Sequence, residues 1–285
     1  RTIAGREITI ETGKLAKQAN GSVVVRCGNT VMLATAVMSK EPKSGIDFFP
    51  LTIEYVEKMY SAGKIPGGFF KREGRPTTDS TLTARLIDRP VRPCFPKYFF
   101  HEVQIAITVL SFDETFAPEF LAMIAASAAL SVSDIPFNGP IGAAYVCDVD
   151  GELKANPTFE EEERSTLQIM VAGSKDAIMM IESGASEVSE DRILEAIQVA
   201  HAVIKETVAV QEDLQAAAGK TKIVLPEVES DEALSKEVST FVGSQIEANM
   251  QSGNKEEIDA LIKQLETDTL AKFVNEDESN RDLVK

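Results

Sequence analysis

PEFLAMIAASAALSV, the stretch Pro118–Val132, decides how the fold is read. Its Ala, Leu, Met, Ile and Phe residues fall on every side of a helix, and a helix that is apolar all round lies inside a core. Pro118 suits a first helical turn. The flanking sequence supplies strands. Val103–Leu110 precedes the helix, while Ala143–Val149, Gln168–Val171 and Ala177–Ile181 follow the turn Pro136-Phe137-Asn138-Gly139-Pro140. Further upstream, Glu7–Glu11 alternates polar and apolar residues. Ser22–Arg26 and Thr30–Met38 are β-branched runs that make a hairpin about Cys27-Gly28-Asn29, and Phe48–Val56 continues this character. The predicted fold class is α+β.

After the last strand, Ile193, Ile197, Ala200, Ile204 and Val208 keep helical spacing behind Ser189, a predicted N-cap, and Gly219 is a natural stop. Thr221–Ser230, with Pro226, reads as a linker. Leu234, Val238, Phe241 and Val242, then Ile258, Leu261, Ile262 and Leu265, give two apolar stripes of a small all-α domain. The expected division is 1–222 and 223–285.

The 285 residues carry a net charge of −16, which by itself argues against a nucleic-acid partner. Distribution reverses that argument. Residues 58–97 hold nine Lys and Arg against three acids, whereas residues 226–285 hold six cations against fifteen anions. A local positive field inside an acidic protein holds a polyanion in one place while the rest of the surface repels it. Cys27, Cys94 and Cys147 are odd in number and widely spaced, which argues against a disulfide framework or zinc site and for a reducing compartment, the cytoplasm. No apolar run is long enough to span a membrane, so no membrane partner is expected. With two histidines and no H-E-x-x-H pattern, histidine-based metal chemistry has little material.

The basic stretch begins in a predicted exposed loop, 58–76, broken by Gly63, Pro66, Gly67 and Gly68. Within it, Gly67-Gly68-Phe69-Phe70-Lys71-Arg72-Glu73-Gly74-Arg75-Pro76 sets adjacent aromatics beside cations. Single-stranded RNA suits this combination: bases stack on the rings of Phe69 and Phe70 while Lys71, Arg72 and Arg75 neutralise the backbone. The other reading is that both rings anchor the loop onto the core and the cations are merely solvated. Ser80–Asp88 reads as a short helix that ends before Pro90, bringing Arg85, Arg89 and Arg92 close together. Their guanidinium forks suit the phosphates of an RNA backbone, or else an ion-pair network centred on Asp88. Glu160–Glu163, in a predicted loop, reads as a solvated charge run rather than a cation cage.

Glu11–Ala16, Asp47–Leu51, the Phe69–Pro76 loop, Arg85–Pro93, Ala125–Leu130 and Ile135–Gly142, taken in order, resemble the first core of the polynucleotide phosphorylase family. The acidic helical segment is similar to that family's linker, cut off before the second core. The resemblance implies a ribonuclease-PH-like core, a mixed sheet packed with helices, within a cytoplasmic homotrimeric ring. Such a ring threads single-stranded RNA and degrades it from the 3′ end with inorganic phosphate as co-substrate, releasing nucleoside diphosphates; RNA-degradation complexes are further partners. It also implies that Phe69, Phe70, Lys71 and Arg72 line the channel entrance, and that Arg85, Arg89 or Arg92 serves the neighbouring core. Catalysis and Mg²⁺ belong to the second core. In this chain Phe116-Ala117-Pro118-Glu119-Phe120 stands where the family's catalytic copy has a serine-rich helix entrance, and Gln168 and Met170 stand where it has an acid and a lysine. No catalytic or metal residue is therefore expected here. The competing expectation is a non-catalytic RNA-binding or assembly module whose acidic tail docks a protein.

Overall fold

The computed structural model describes residues 1–43, 45–225, 231–250 and 254–274, in two units, Arg1–Leu225 and Pro226–Lys285. The first unit opens with β1 (Thr2–Ile3), β2 (Arg6–Thr12), β3 (Gly21–Cys27), β4 (Thr30–Pro42) and β5 (Leu51–Glu57), followed by helix α1 (Thr78–Val91) and β6 (His101–Ser111). These strands form one six-stranded sheet in the order β1-β2-β3-β4-β6-β5. All pairs are antiparallel except β5 and β6. That parallel pair requires a crossover, which α1 provides.

The alternation read in the sequence becomes the inner face of this sheet. Val23 and Val25 of β3 pair with Ala34 and Met32 of β4, and all four are buried together with Ile105 and Ile107 of β6. Helix α2 (Glu119–Val132) packs on this face through β3, β4 and β6. Every residue from Phe120 to Val132 is buried. Its other side meets β7 (Gly142–Val149) and the 29-residue α4 (Glu190–Ala218), while β8 (Glu152–Ala155), the short α3 (Phe159–Glu163), β9 (Ser165–Gly173) and β10 (Ile178–Ala185) complete the unit. The second sheet is four-stranded, in the order β10-β9-β7-β8. This is the mixed, helix-packed α+β architecture expected from the sequence. Sheet and helix approach closely at Gly21, where a Cβ would overlap the Ala129 carbonyl oxygen and lie 2.8 Å from Ser133 Cβ.

Three local expectations are corrected. Helix α1 does not stop before Pro90 but contains it and runs on into a 3₁₀ turn, Arg92–Cys94. A proline in the last turn forfeits one backbone bond, and burial of its ring offsets that loss. The strand predicted from Phe48 begins at Leu51, because Leu51 N–H closes a tight turn onto the Phe49 carbonyl around Pro50. The acid run Glu160–Glu163 is not a loop but most of α3. Thr158 caps it, accepting from Glu161 N–H, while the Glu161 carboxylate accepts from Thr158 N–H at 2.9 Å and from Lys154 Nζ at 2.8 Å. Such a reciprocal capping box satisfies two otherwise orphaned donors.

The Lys154 and Thr158 contacts hold the Glu161 carboxyl down at about 2, below its ordinary 4.5. A carboxyl whose pKa is lower in the folded state contributes stability that is complete above 4.5 and lost as the pH falls towards 2. Glu161→Gln is expected to cost about 1 kcal/mol at pH 7. Urea titrations should show this difference shrinking as the pH is lowered through 4.5.

Helix α4 begins as expected, with Ser189 Oγ accepting from Arg192 N–H. Beyond its end the chain does not leave the unit at once. Lys220 N–H bonds the Val132 carbonyl and Ile223 N–H that of Asp134. The Lys222 ammonium donates to the Leu130, Ser131 and Ser133 carbonyls at 2.6–3.3 Å, although burial pulls its pKa down to about 8. These carbonyls lie at the end of α2, where a cation is favoured. The boundary of the first unit therefore lies after Leu225, three residues beyond the one read from the sequence.

In the second unit, α5 (Glu232–Met250) and α6 (Lys255–Phe273) carry the two predicted stripes. Leu265 is buried, Phe241 and Phe273 meet edge to face at 5.6 Å, and Lys272 Nζ stands 3.9 Å from the Phe241 ring centre. Asn254 and Glu257 form a capping box for α6. Among the described residues no helix is long and apolar enough to cross a membrane.

Candidate nucleic-acid interface

The loop between β5 and α1 starts with a 3₁₀ turn, Met59–Ala62, closed by Gly63 in the left-handed conformation. Glu73 Oε1 accepts from Met59 N–H at 3.0 Å and so ties the far side of the loop back to its start. Between these fixed points Gly68 and Lys71 take positive φ values of +73° and +50°, which turns the intervening aromatics outward. Phe69 is 93% and Phe70 78% exposed. Their rings meet each other edge to face at 5.5 Å. The alternative that these rings anchor the loop on the core is thereby overturned: neither is buried. Lys71, Arg72 and Arg75 are exposed as well, and none of them has an ion pair among the described residues.

Helix α1 separates the three arginines read as one cluster. Arg85 and Arg89, one turn apart, are exposed on the same face, and Arg89 has only a long contact to Glu182, 3.9 Å away. Arg92 is committed elsewhere. It donates twice to the Asp88 carboxylate at 2.7 Å, once to the Phe49 carbonyl at 2.9 Å and once to the Leu51 carbonyl at 3.3 Å. The ion-pair reading therefore describes Arg92, which pins the end of α1 to the start of β5. Arg92→Ala should cost about 2 kcal/mol in a denaturant titration, because it removes both donors to the Asp88 carboxylate and the Arg92 donor to the Leu51 carbonyl. Arg85→Ala with Arg89→Ala should leave the melting temperature unchanged. On single-stranded RNA, the same pair should reduce the slope of log affinity against log salt by about 1.4.

At the entrance to α2 the chemistry is that of carboxylates. Burial raises the pKa of Glu119, and Glu57, Glu162 and Asp79 push it the same way. Its Oε2 is buried without a hydrogen-bond partner among the described residues, which suits a protonated carboxyl better than a charged one. Tyr55 donates to Glu57 and Tyr145 to Glu162, each at 2.7 Å. On β9, Gln168 donates to the Glu162 backbone carbonyl at 3.4 Å, and Met170 is buried in the core. An anion meets like charge here. Mg²⁺ finds no fit either: of the four carboxylates, Glu57 and Glu162 are engaged by tyrosines, Glu119 is driven towards its neutral form, and Asp79 is exposed in the first turn of α1. The sequence singles out Glu119, Gln168, Met170 and, within the acid run 160–163, Glu162, but it does not join Glu162 to Glu57 or to the two tyrosines. These come from β5, α3 and β7, so no local pattern could have joined them.

Comparison with known proteins agrees with this fold. The model of domain 1 of the 3′ exoribonuclease family matches residues 4–136, and that of domain 2 matches residues 139–203. A polyribonucleotide nucleotidyltransferase of Heliobacterium modesticaldum is 52% identical over 272 residues, 91% of this chain and 38% of the relative. The protein of that name from Streptococcus gordonii is 54% identical over 252 residues, 88% of this chain and 34% of its own length. That from Halothermothrix orenii is 49% identical over 278 residues, 98% and 39% respectively. The chain thus spans well under half of the curated relatives it matches. With both domain models of one family lying in order along the first unit and together covering more than half of the sequence, the chain belongs to the 3′ exoribonuclease family.

Proposed function

We propose that this chain is the RNA-guiding first core of a 3′-to-5′ phosphorolytic exoribonuclease, a polyribonucleotide nucleotidyltransferase that uses inorganic phosphate to release nucleoside diphosphates from single-stranded RNA. The observation that carries the reading is the pair of outward-facing rings, Phe69 and Phe70, beside the exposed cations Lys71, Arg72 and Arg75. Stacking on a ring face and neutralising a phosphate are both indifferent to base identity, as a processive nuclease requires. Arg85 and Arg89 extend the positive surface along α1. The carboxylates around Glu119 repel phosphate, so bond cleavage, with Mg²⁺, is assigned to a second core beyond this chain. Three such protomers form the ring in the cytoplasm, and RNA-degradation complexes are its wider setting.

The test is phosphate-dependent release of nucleoside diphosphates from single-stranded RNA with Mg²⁺, comparing this chain with a version extended through a second core. Release by the extended protein alone is expected. Release by both would overturn the non-catalytic assignment of this core, and release by neither, with both folded, would favour a binding or assembly module.

A further inference from the structure

The four sheet edges of the first unit are not equally defended. Proteins blunt free edges by shortening them, placing charges on them or covering them, because an exposed ladder of N–H and C=O groups is a template for another strand. Edge β1 has two residues. Edge β5 carries Glu54 and Glu57 and has α1 packed on it, and β8 has four residues, including Glu152 and Lys154. Edge β10 is the least defended: it has eight residues, Ile-Met-Met-Ile-Glu-Ser-Gly-Ala, one charge and no proline, and α1 touches it only slightly, with Arg89 reaching Glu182 at 3.9 Å. Its last five residues, Ile181 to Ala185, are all exposed.

The hydrogen-bond phase of β10 shows which groups are available. Ser186 N–H bonds the Thr166 carbonyl, in a register that continues through Gly184↔Gln168 and Glu182↔Met170. An antiparallel ladder bonds alternate residues, so Glu182 and Gly184 face β9, while Ile181, Ser183 and Ala185 turn their N–H and C=O groups outward. Those outward groups have no hydrogen-bond partner among the described residues. They are also symmetric about Ser183.

We propose that β10 pairs with β10 of a second copy of this chain, antiparallel and centred on Ser183. In that register Ser183 faces its own equivalent and Ile181 faces Ala185, so each outward donor meets an acceptor. The single charge, Glu182, lies opposite Gly184, which has no side chain and nothing within 4 Å of its Cβ position. Like charges are therefore offset rather than opposed. The contact is isologous, the same patch on both partners, and differs from the heterologous contacts that close a three-membered ring.

The register places two Ser183 residues as a hydrogen-bonded pair, whose Cα separation of about 5.5 Å lies within the range that a disulfide bridges. Ser183→Cys should therefore form covalent dimers under mild oxidation at least tenfold faster than Lys205→Cys, an exposed position on α4. The natural cysteines are all buried and silent. Adding Ala185→Pro, which removes an outward N–H without touching the β9 ladder, should return cross-linking to the Lys205→Cys rate. Equal rates for the two single variants would overturn the proposal. So would undiminished cross-linking with Ala185→Pro in a protein that keeps its melting temperature.

Discussion

Changing Phe69 and Phe70 together to alanine is expected to weaken binding of a labelled single-stranded RNA by at least roughly 30-fold while leaving the fold intact. Each ring offers one stacking platform, and base–aromatic stacking contributes about 1–3 kcal/mol per base. Losing two therefore removes about 2–6 kcal/mol, and the lower figure already corresponds to that factor in Kd. The fold should not register the change, since the rings are 93% and 78% exposed and meet each other edge to face. Anisotropy titrations at fixed salt, paired with thermal melts, would measure both. In a protein extended through the second core, turnover of long RNA should fall with affinity. If binding falls and turnover does not, the loop is a docking surface rather than a feed into a catalytic channel.

Gly21→Ala is expected to be the most destabilising small substitution in the first unit, at about 3 kcal/mol. A methyl group at Gly21 would meet the Ala129 backbone carbonyl, and Ser133 Cβ lies 2.8 Å away. Neither neighbour is a flexible side-chain end that could swing aside. Relief requires α2 to lift off β3, but α2 is buried from Phe120 to Val132 against both sheets and α4. A melting temperature lowered by roughly 6–12 °C would match a unit of this size. Gly74→Ala provides the control, because a Cβ there meets nothing within 4 Å and its φ is not in the left-handed region; it should be neutral to within about 0.5 kcal/mol.

The two cases also mark what could be read from the sequence. The apolar helix from Pro118 and the β-branched runs about Gly28 declare themselves because burial is periodic, and periodicity is local. The Phe69–Arg72 loop could be found but not interpreted: composition alone allows rings that face inward or outward, and only the positive φ values at Gly68 and Lys71 decide between them. Arg85, Arg89 and Arg92 look equivalent as letters. They differ because Arg92 alone reaches the Phe49 and Leu51 carbonyls, a contact some forty residues distant in the chain. The carboxylates around Glu119 were hidden for the same reason, as was the tie between Lys222 and the end of α2.

That tie has a polymer-physical consequence. A tether's reach is counted from its last fixed point, and an extended residue spans about 3.3–3.6 Å. Had the chain come free at Gly219, the seven residues to Leu225 would add roughly 23–25 Å to the reach of whatever follows. With those residues held against the first unit, that length is removed. A shorter tether raises the effective concentration of the linked parts around one another as long as it can still span their sites. Lys222→Met, by loosening the hold on Leu130, Ser131 and Ser133, would lengthen the tether without adding a residue.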